Sequence, residues 1–186
     1  MAVEYLGDPH QLAAPQQELN WLRKTIVERA LTRGDYLLSG GVRSDYYIDK
    51  FRLFAEPNTL RRIARMFTHL IAEIQPDLIG GTELGGVVIA TVVSQLCGIP
   101  MIAVRKNAKG YGAFANDFVE GPYAKGEHVL LLEDVITNAR GLLKAKSDLE
   151  SLGLRVTPCA VVSRGLAPVR ALLQFSLPRS DAPREN

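Results

Sequence analysis

The chain has 186 residues, of which 47% are hydrophobic and 23% charged; that is ordinary globular composition, sized for one domain with a sizeable core. A formal net charge of only +2 gives no global basic field for nucleic acid or an anionic membrane, so neither is expected as a partner. No apolar run reaches the ~18 residues needed to span a bilayer.

In chain order, "MAVEYLGDPHQLAAPQQ" lacks the charged start and long apolar centre of a signal peptide. The first ten to fifteen residues and the last nine, "PRSDAPREN", read as frayed ends. "QQELNWLRKTIVERAL" places Leu19, Leu22, Ile26 and Ala30 at helical spacing and predicts an amphipathic helix. "DYLLSGGVRSDYYIDKF" predicts two short strands around a Gly-Gly turn. "NTLRRIARMFTHLIAEIQ" predicts one helix, with Leu60, Ile63, Ala64, Phe67, Leu70, Ile71 and Ile74 as its apolar stripe and Asn58 or Thr59 as its cap. From Asp77 the pattern becomes strand, glycine turn, helix. "DLIGG" leads through "TELGG" to a helix over Val87–Leu96, and "MIAVRK" is a strand followed by a long loop to about Gly126. "HVLLLEDV" leads to the helix "RGLLKAKSDLESLG", and "VTPCAVVSR" is a further strand; whether "LAPVRALLQFSL" adds a last one stays open. Apolar strands alternating with helices predict an α/β fold whose parallel sheet is covered on both faces. Cys97 and Cys159 lie in apolar runs with no close histidine or second cysteine, and read as reduced core thiols of a cytoplasmic protein.

In such sheets ligands bind at the carboxyl edge of the strands, and the acids placed there are Glu83 and the adjacent pair Glu133–Asp134. Two like charges ending an apolar strand are costly unless something needs them. The turn that follows opens into a helix, whose first N–H groups make an anion site. Carboxylates repel an anion but accept hydrogen bonds from hydroxyls. A ribose 5-phosphate would satisfy both halves. Equally compatible with the pattern alone is one acid capping the helix while the other is solvated.

An apolar strand, Glu-Asp, two apolar residues and Thr137 resemble the ribose-phosphate signature of the type I phosphoribosyltransferases. Three more stretches narrow the resemblance to the orotate phosphoribosyltransferase family: "SDYYIDKF" (Ser44–Phe51) is similar to its base-site segment, "GTELGGVVIATVVS" (Gly81–Ser94) to its pyrophosphate loop and helix, and "VRKNAKGYG" (Val104–Gly112) to its mobile catalytic loop. The four motifs are collinear over most of the chain. The resemblance implies the type I phosphoribosyltransferase fold as a single domain over residues 1–186, with an N-terminal helix and small hood (1–56), an α/β core of parallel sheet flanked by helices (57–165) and a C-terminal segment (166–186). It implies that phosphoribosyl pyrophosphate (PRPP) and orotate give orotidine 5'-phosphate and pyrophosphate. Mg²⁺ is the implied cofactor, bound through the substrate and by no side chain directly. A homodimer with a shared active site is implied as well.

Residue by residue, the resemblance puts ribose on Glu133 and Asp134 and the 5-phosphate on Thr137, Asn138, Ala139, Arg140 and Gly141. Thr82, Glu83, Leu84 and Gly85 would meet pyrophosphate and its metal. Arg105, Lys106, Lys109 and Tyr111 would act from the catalytic loop, where preorganised cations can stabilise the leaving group and exclude water. Taken alone, that stretch reads as a solvated basic loop. Tyr46, Tyr47 and Arg164 would serve the base, although one of the tyrosines reads as an ordinary strand aromatic; Lys50 matches no family contact.

Departures from the family pattern gather in the site. Ala139 stands where glycine is usual, Gly141 where serine or threonine is usual, and Tyr111 where histidine is usual; Phe114 and Asp117 replace glycine and basic residues, Ser39 a lysine and Ser163 an acid. A lost hydrogen bond costs about 1 kcal/mol when neutral and about 1.5–3 when charged, so two or three uncompensated losses would weaken substrate binding by about 10²–10⁴. Transfer to another base, or a non-catalytic nucleotide-binding paralogue, are the competing expectations.

Overall fold

The computed structural model describes residues 14–38, 41, 43–107, 118–165 and 167–177. The terminal stretches expected to fray, residues 1–13 and 178–186, lie outside them, as do Ser39, Lys109, Tyr111, Phe114 and Asp117.

The core is a six-stranded sheet with the order β5-β4-β3-β6-β7-β8. Its strands are β3 (Leu78–Thr82), β4 (Met101–Val104), β5 (Val119–Glu120), β6 (His128–Ile136), β7 (Arg155–Ser163) and β8 (Arg170–Gln174). All neighbours are parallel except the short β5, which runs antiparallel to β4. The apolar run of β6 follows from burial on both faces. Leu130 and Leu132 enter one layer, with Ile63, Phe67, Ile89 and Val93. Val129 and Leu131 enter the other, with Leu142 and Leu149. Leu130, Leu131 and Leu132 are all fully buried, so truncating any one to alanine costs about 2–5 kcal/mol.

Helices α3 (Pro57–Met66), α4 (Thr68–Ile74) and α5 (Glu83–Cys97) contribute to the first layer, and α6 (Arg140–Ser151) covers the second. Ahead of them, α1 (Gln16–Thr25) runs through a π-helical turn over Ile26–Ala30 into the antiparallel ribbon β1 (Leu31–Leu37) and β2 (Arg43–Ile48), followed by the short α2 (Phe51–Phe54). This ribbon and α2 fall within the stretch expected to form a small hood, and Tyr46 and Ile48 of the ribbon with Leu53 and Phe54 of α2 join the first layer.

Four boundaries differ from expectation. The helix predicted over residues 58–75 breaks at Phe67, where the Thr68 hydroxyl donates to Arg65 O at 2.8 Å and tightens the turn. Its cap is neither Asn58 nor Thr59 but Glu56, whose carboxylate accepts from both of their N–H groups ahead of Pro57. The helix expected from Val87 starts at Glu83, directly after β3, and the acid pair lies within β6 rather than beyond its end. The C-terminal stretch does add a strand, β8. Both cysteines are free, and burial pushes both thiols above their ordinary pKa, as inert core thiols require.

Candidate active site

The carboxyl ends of β3, β4, β6 and β7 bring most of the candidate residues to one edge. On β6, Glu133 and Asp134 point to opposite faces and sit in different surroundings. Glu133 is partly buried; its carboxylate accepts from the Thr82 hydroxyl at the end of β3 and from the Asp134 N–H at 3.2 Å. Burial first, and the Asp134 charge second, push its pKa from the ordinary 4.5 up to about 7. Asp134 is only 2% exposed. Its Oδ1 accepts from the Val135 N–H, and its Oδ2 lies 2.7 Å from Lys50 Nζ. Burial opposes the Lys50 charge most strongly, yet Asp134, with Glu133 and Tyr47 further away, holds the ammonium pKa above its ordinary value.

Close approach explains "TELGG". A Cβ at Gly85 would stand 1.6 Å from Asp134 Oδ2, and one at Gly86 would stand 2.5 Å from Leu132 O, so α5 can start against β6 only with glycine at both positions. Glu83, the first residue of α5, has φ +53°, and Ala139, just before α6, has φ +54°. For non-glycine residues this backbone costs about 1–2 kcal/mol. Both lie at strand-to-helix junctions on the same edge, where functional sites characteristically hold strain. Thus Ala139 takes the conformation that a glycine would favour, with its methyl buried in the α6 layer.

Thr137 and Asn138 are half-buried in the turn before α6, and Asn138 Oδ1 accepts from the Arg140 N–H at 3.2 Å. Arg140 and Gly141 are exposed, and nothing lies within 4 Å of a Cβ built at Gly141. Beyond α5, a groove of about 600 Å³ gathers Glu83, Leu84, Arg105 and Lys106, with Glu120 Oε1 3.6 Å from Arg105 Nη1. Lys109 and Tyr111 of the same expected loop lie outside the described residues.

At the end of β7, Arg164 stacks over the Tyr46 ring at 4.0 Å. Its Nη2 donates to Ser44 Oγ at 2.6 Å and to Tyr46 O at 3.0 Å, while its buried Nε has no partner among the described residues. Tyr46 is 7% exposed, held between Arg164 and Phe175. Tyr47, on the opposite face of β2, is 41% exposed. Tyr46 is thus buried where it positions Arg164, while Tyr47 stays accessible. Sequence reasoning missed the role of Lys50: its partner is far away in the chain, and no local spacing links them.

A parallel sheet whose strand edge carries an acid pair, a helix-opening turn and a groove with two cations defines a sugar-phosphate-handling α/β protein. Residues 52–171 match the family described as phosphoribosyl transferase domain. The chain is 39% identical over 141 residues to an orotate phosphoribosyltransferase of Thermococcus gammatolerans, covering 75% of this chain and 74% of that one. To the orotate phosphoribosyltransferase of a Nocardioides species it is 42% identical over 130 residues, 69% of this chain and 71% of that one. The solved orotate phosphoribosyltransferase of Mycobacterium tuberculosis H37Rv superposes with a TM-score of 0.69 at 27% identity, over 86% of this chain and 97% of that one. The chain belongs to the orotate phosphoribosyltransferase family.

Proposed function

We propose that the chain transfers the phosphoribosyl group of PRPP to orotate, giving orotidine 5'-phosphate and pyrophosphate in pyrimidine synthesis. The observation that carries this reading is the Glu133–Asp134 pair on β6, set between the α6 turn and the Arg105–Lys106 groove; the activity named for the relatives supplies the substrates. In the reaction the bond from ribose C1 to the pyrophosphate oxygen breaks and its electrons leave with pyrophosphate. Orotate N1 supplies the pair for the new C1–N bond and passes its proton to the departing pyrophosphate or to water. Glu133 and Asp134 hold the ribose hydroxyls, and the Thr137–Gly141 turn with the first N–H groups of α6 holds the 5-phosphate. Thr82, Glu83, Leu84 and Gly85 line the approach of pyrophosphate, whose departing charge Arg105, Lys106 and Lys109 stabilise, with a catalytic part for Tyr111 as well. Arg164, held at the end of β7 through Ser44 and Tyr46 O, supplies the cation of the base site, and Tyr47 supplies the accessible aromatic face.

Mg²⁺ fits as a substrate-borne ion. Mg²⁺ is commonly held by one or two carboxylates plus phosphate oxygens, and the pyrophosphate of PRPP supplies such oxygens. Bound there, it would neutralise charge on the pyrophosphate group. A homodimer is supported by α5, which is apolar on every side: Leu84 and Leu96 stay exposed, with Val87, Val88, Thr91 and Val92 only half-buried between them. A cytoplasmic location accords with two unpaired cysteines, and no helix among the described residues is long and apolar enough to cross a membrane.

Orotate consumption followed by ultraviolet absorbance, with PRPP and Mg²⁺ present, tests the reading. PRPP-dependent loss that disappears in Lys109→Ala is the expected result. No loss at high enzyme and substrate concentrations overturns it.

A further inference from the structure

We propose that Lys50 is a positioning residue of the sugar-donor site, fixing the Asp134 carboxylate from the hood side so that the acid pair can receive ribose. This rests on the phosphoribosyl-transfer reading and assigns a role to a residue outside the motifs that support it. A carboxylate 2% exposed is costly to bury without a cation or several donors. Asp134 has one backbone donor, from Val135, on Oδ1. Its Oδ2 lies against Gly85, where no side chain fits, and 2.7 Å from Lys50 Nζ. No other cation pairs with Asp134 among the described residues. Its neighbour Glu133 brings a second carboxyl group, so the edge that must accept a polyanionic sugar phosphate would otherwise present two like charges. Lys50 balances one of them.

The position of Lys50 in the chain adds to the argument. It stands between β2, which carries Tyr46 and Tyr47, and α2. Arg164 ties the same ribbon to the end of β7 through Ser44 and Tyr46 O. The hood is thus attached to the catalytic edge at two charged points, one under the sugar site and one under the base site. The titratable groups facing the ammonium are Asp134, Glu133 and Tyr47, each in the proposed substrate site, with the Phe51 ring 5.9 Å away.

A general attraction for anions would also make Lys50 matter, and the two roles separate by ligand. The dissociation constants of PRPP and of inorganic pyrophosphate are measured calorimetrically, with Mg²⁺, for the full-length wild type, Lys50→Met, Lys50→Gln and Lys50→Arg. Acting through Asp134, Lys50 serves the ligand that carries ribose. Lys50→Met is therefore expected to weaken PRPP by at least about tenfold, to weaken pyrophosphate clearly less, by about twofold to threefold through the lost charge alone, and to be largely rescued in Lys50→Arg. Lys50→Gln can still donate to Asp134 Oδ2 without charge, so it carries the same comparison should Lys50→Met fail to fold, with an expected loss of PRPP affinity between those of Met and Arg. Equal weakening of PRPP and pyrophosphate, or unchanged PRPP affinity in both neutral variants, overturns the Lys50 proposal and leaves the transferase reading standing. A wild type that binds no PRPP overturns both.

Discussion

Glu133→Gln should make the protein's stability less sensitive to pH. The folded protein holds Glu133 at a pKa of about 7, against an ordinary 4.5, chiefly through burial and then through the Asp134 charge. A group whose folded pKa is raised binds its proton more tightly in the native state. Its contribution to stability is therefore complete below about 4.5 and is lost as pH rises through about 7. At about 1.4 kcal/mol per pH unit, the loss across that window is about 3 kcal/mol. Glutamine is neutral in both states and retains an oxygen to accept the Thr82 hydroxyl. The difference in unfolding free energy between variant and wild type, from urea titrations at pH 5, 6, 7 and 8, should thus move in favour of the variant up to about pH 7 and then level off. A difference that stays constant from pH 5 to 8 would refute the claim that its surroundings raise the pKa of Glu133. Activity should fall in the same variant, because the amide presents one acceptor oxygen to ribose where the carboxylate presents two.

The other expectations concern phosphate, base and assembly. Gly141→Ser places a hydroxyl in open space at the start of α6, where a hydrogen bond to phosphate is worth about 1.5–3 kcal/mol; the KM for PRPP should fall about tenfold, and an unchanged or higher KM would mean that the turn is already adapted without it. Arg164→Lys keeps the charge but cannot stack a planar guanidinium over the Tyr46 ring while donating to Ser44 and Tyr46 O. Steady-state kinetics should give a KM for orotate about tenfold higher, on the order of one lost charged hydrogen bond, with PRPP affinity unaltered; equal damage to both substrates would count against a base-site role. Leu96→Asp charges the exposed apolar stripe of α5 and should convert a dimer to a monomer in sedimentation velocity; a wild type that sediments as a monomer disposes of that interface.

Much of the architecture could be read from periodicity because burial on two faces leaves a plain signature. The uninterrupted run Val129–Leu132 needs an apolar layer above and below, and the sheet supplies both. Boundaries were harder. Nothing in "TELGG" says where strand becomes helix, since that depends on how closely α5 approaches β6, and Gly85 and Gly86 mark the approach only once their neighbours are known. The break at Phe67 is decided by a single side-chain hydroxyl competing for a backbone carbonyl. The short β5 carries too few residues for a periodic signal and exists by pairing with β4. In the site, the acid pair and the helix-opening turn were legible because their residues are adjacent. The Lys50–Asp134 and Arg164–Ser44 contacts were not, because only folding brings them together.

The cost of two adjacent acids on an apolar strand is met unevenly, and that asymmetry bears on mechanism. Asp134 is buried and faces a lysine from the hood, while Glu133 has a neutral hydroxyl partner and a pKa of about 7. Near neutral pH the trio Lys50, Asp134 and Glu133 therefore carries between zero and one net negative charge, which a polyanionic sugar donor can approach at modest electrostatic cost. Oxygen acceptors for ribose hydroxyls survive in either protonation state of Glu133. Two ionised acids without the lysine would bind the same hydroxyls but repel the phosphates attached to them. The pairing of one compensated and one readily protonated carboxyl group is thus a way for a single edge to recognise hydroxyls and phosphate on the same molecule.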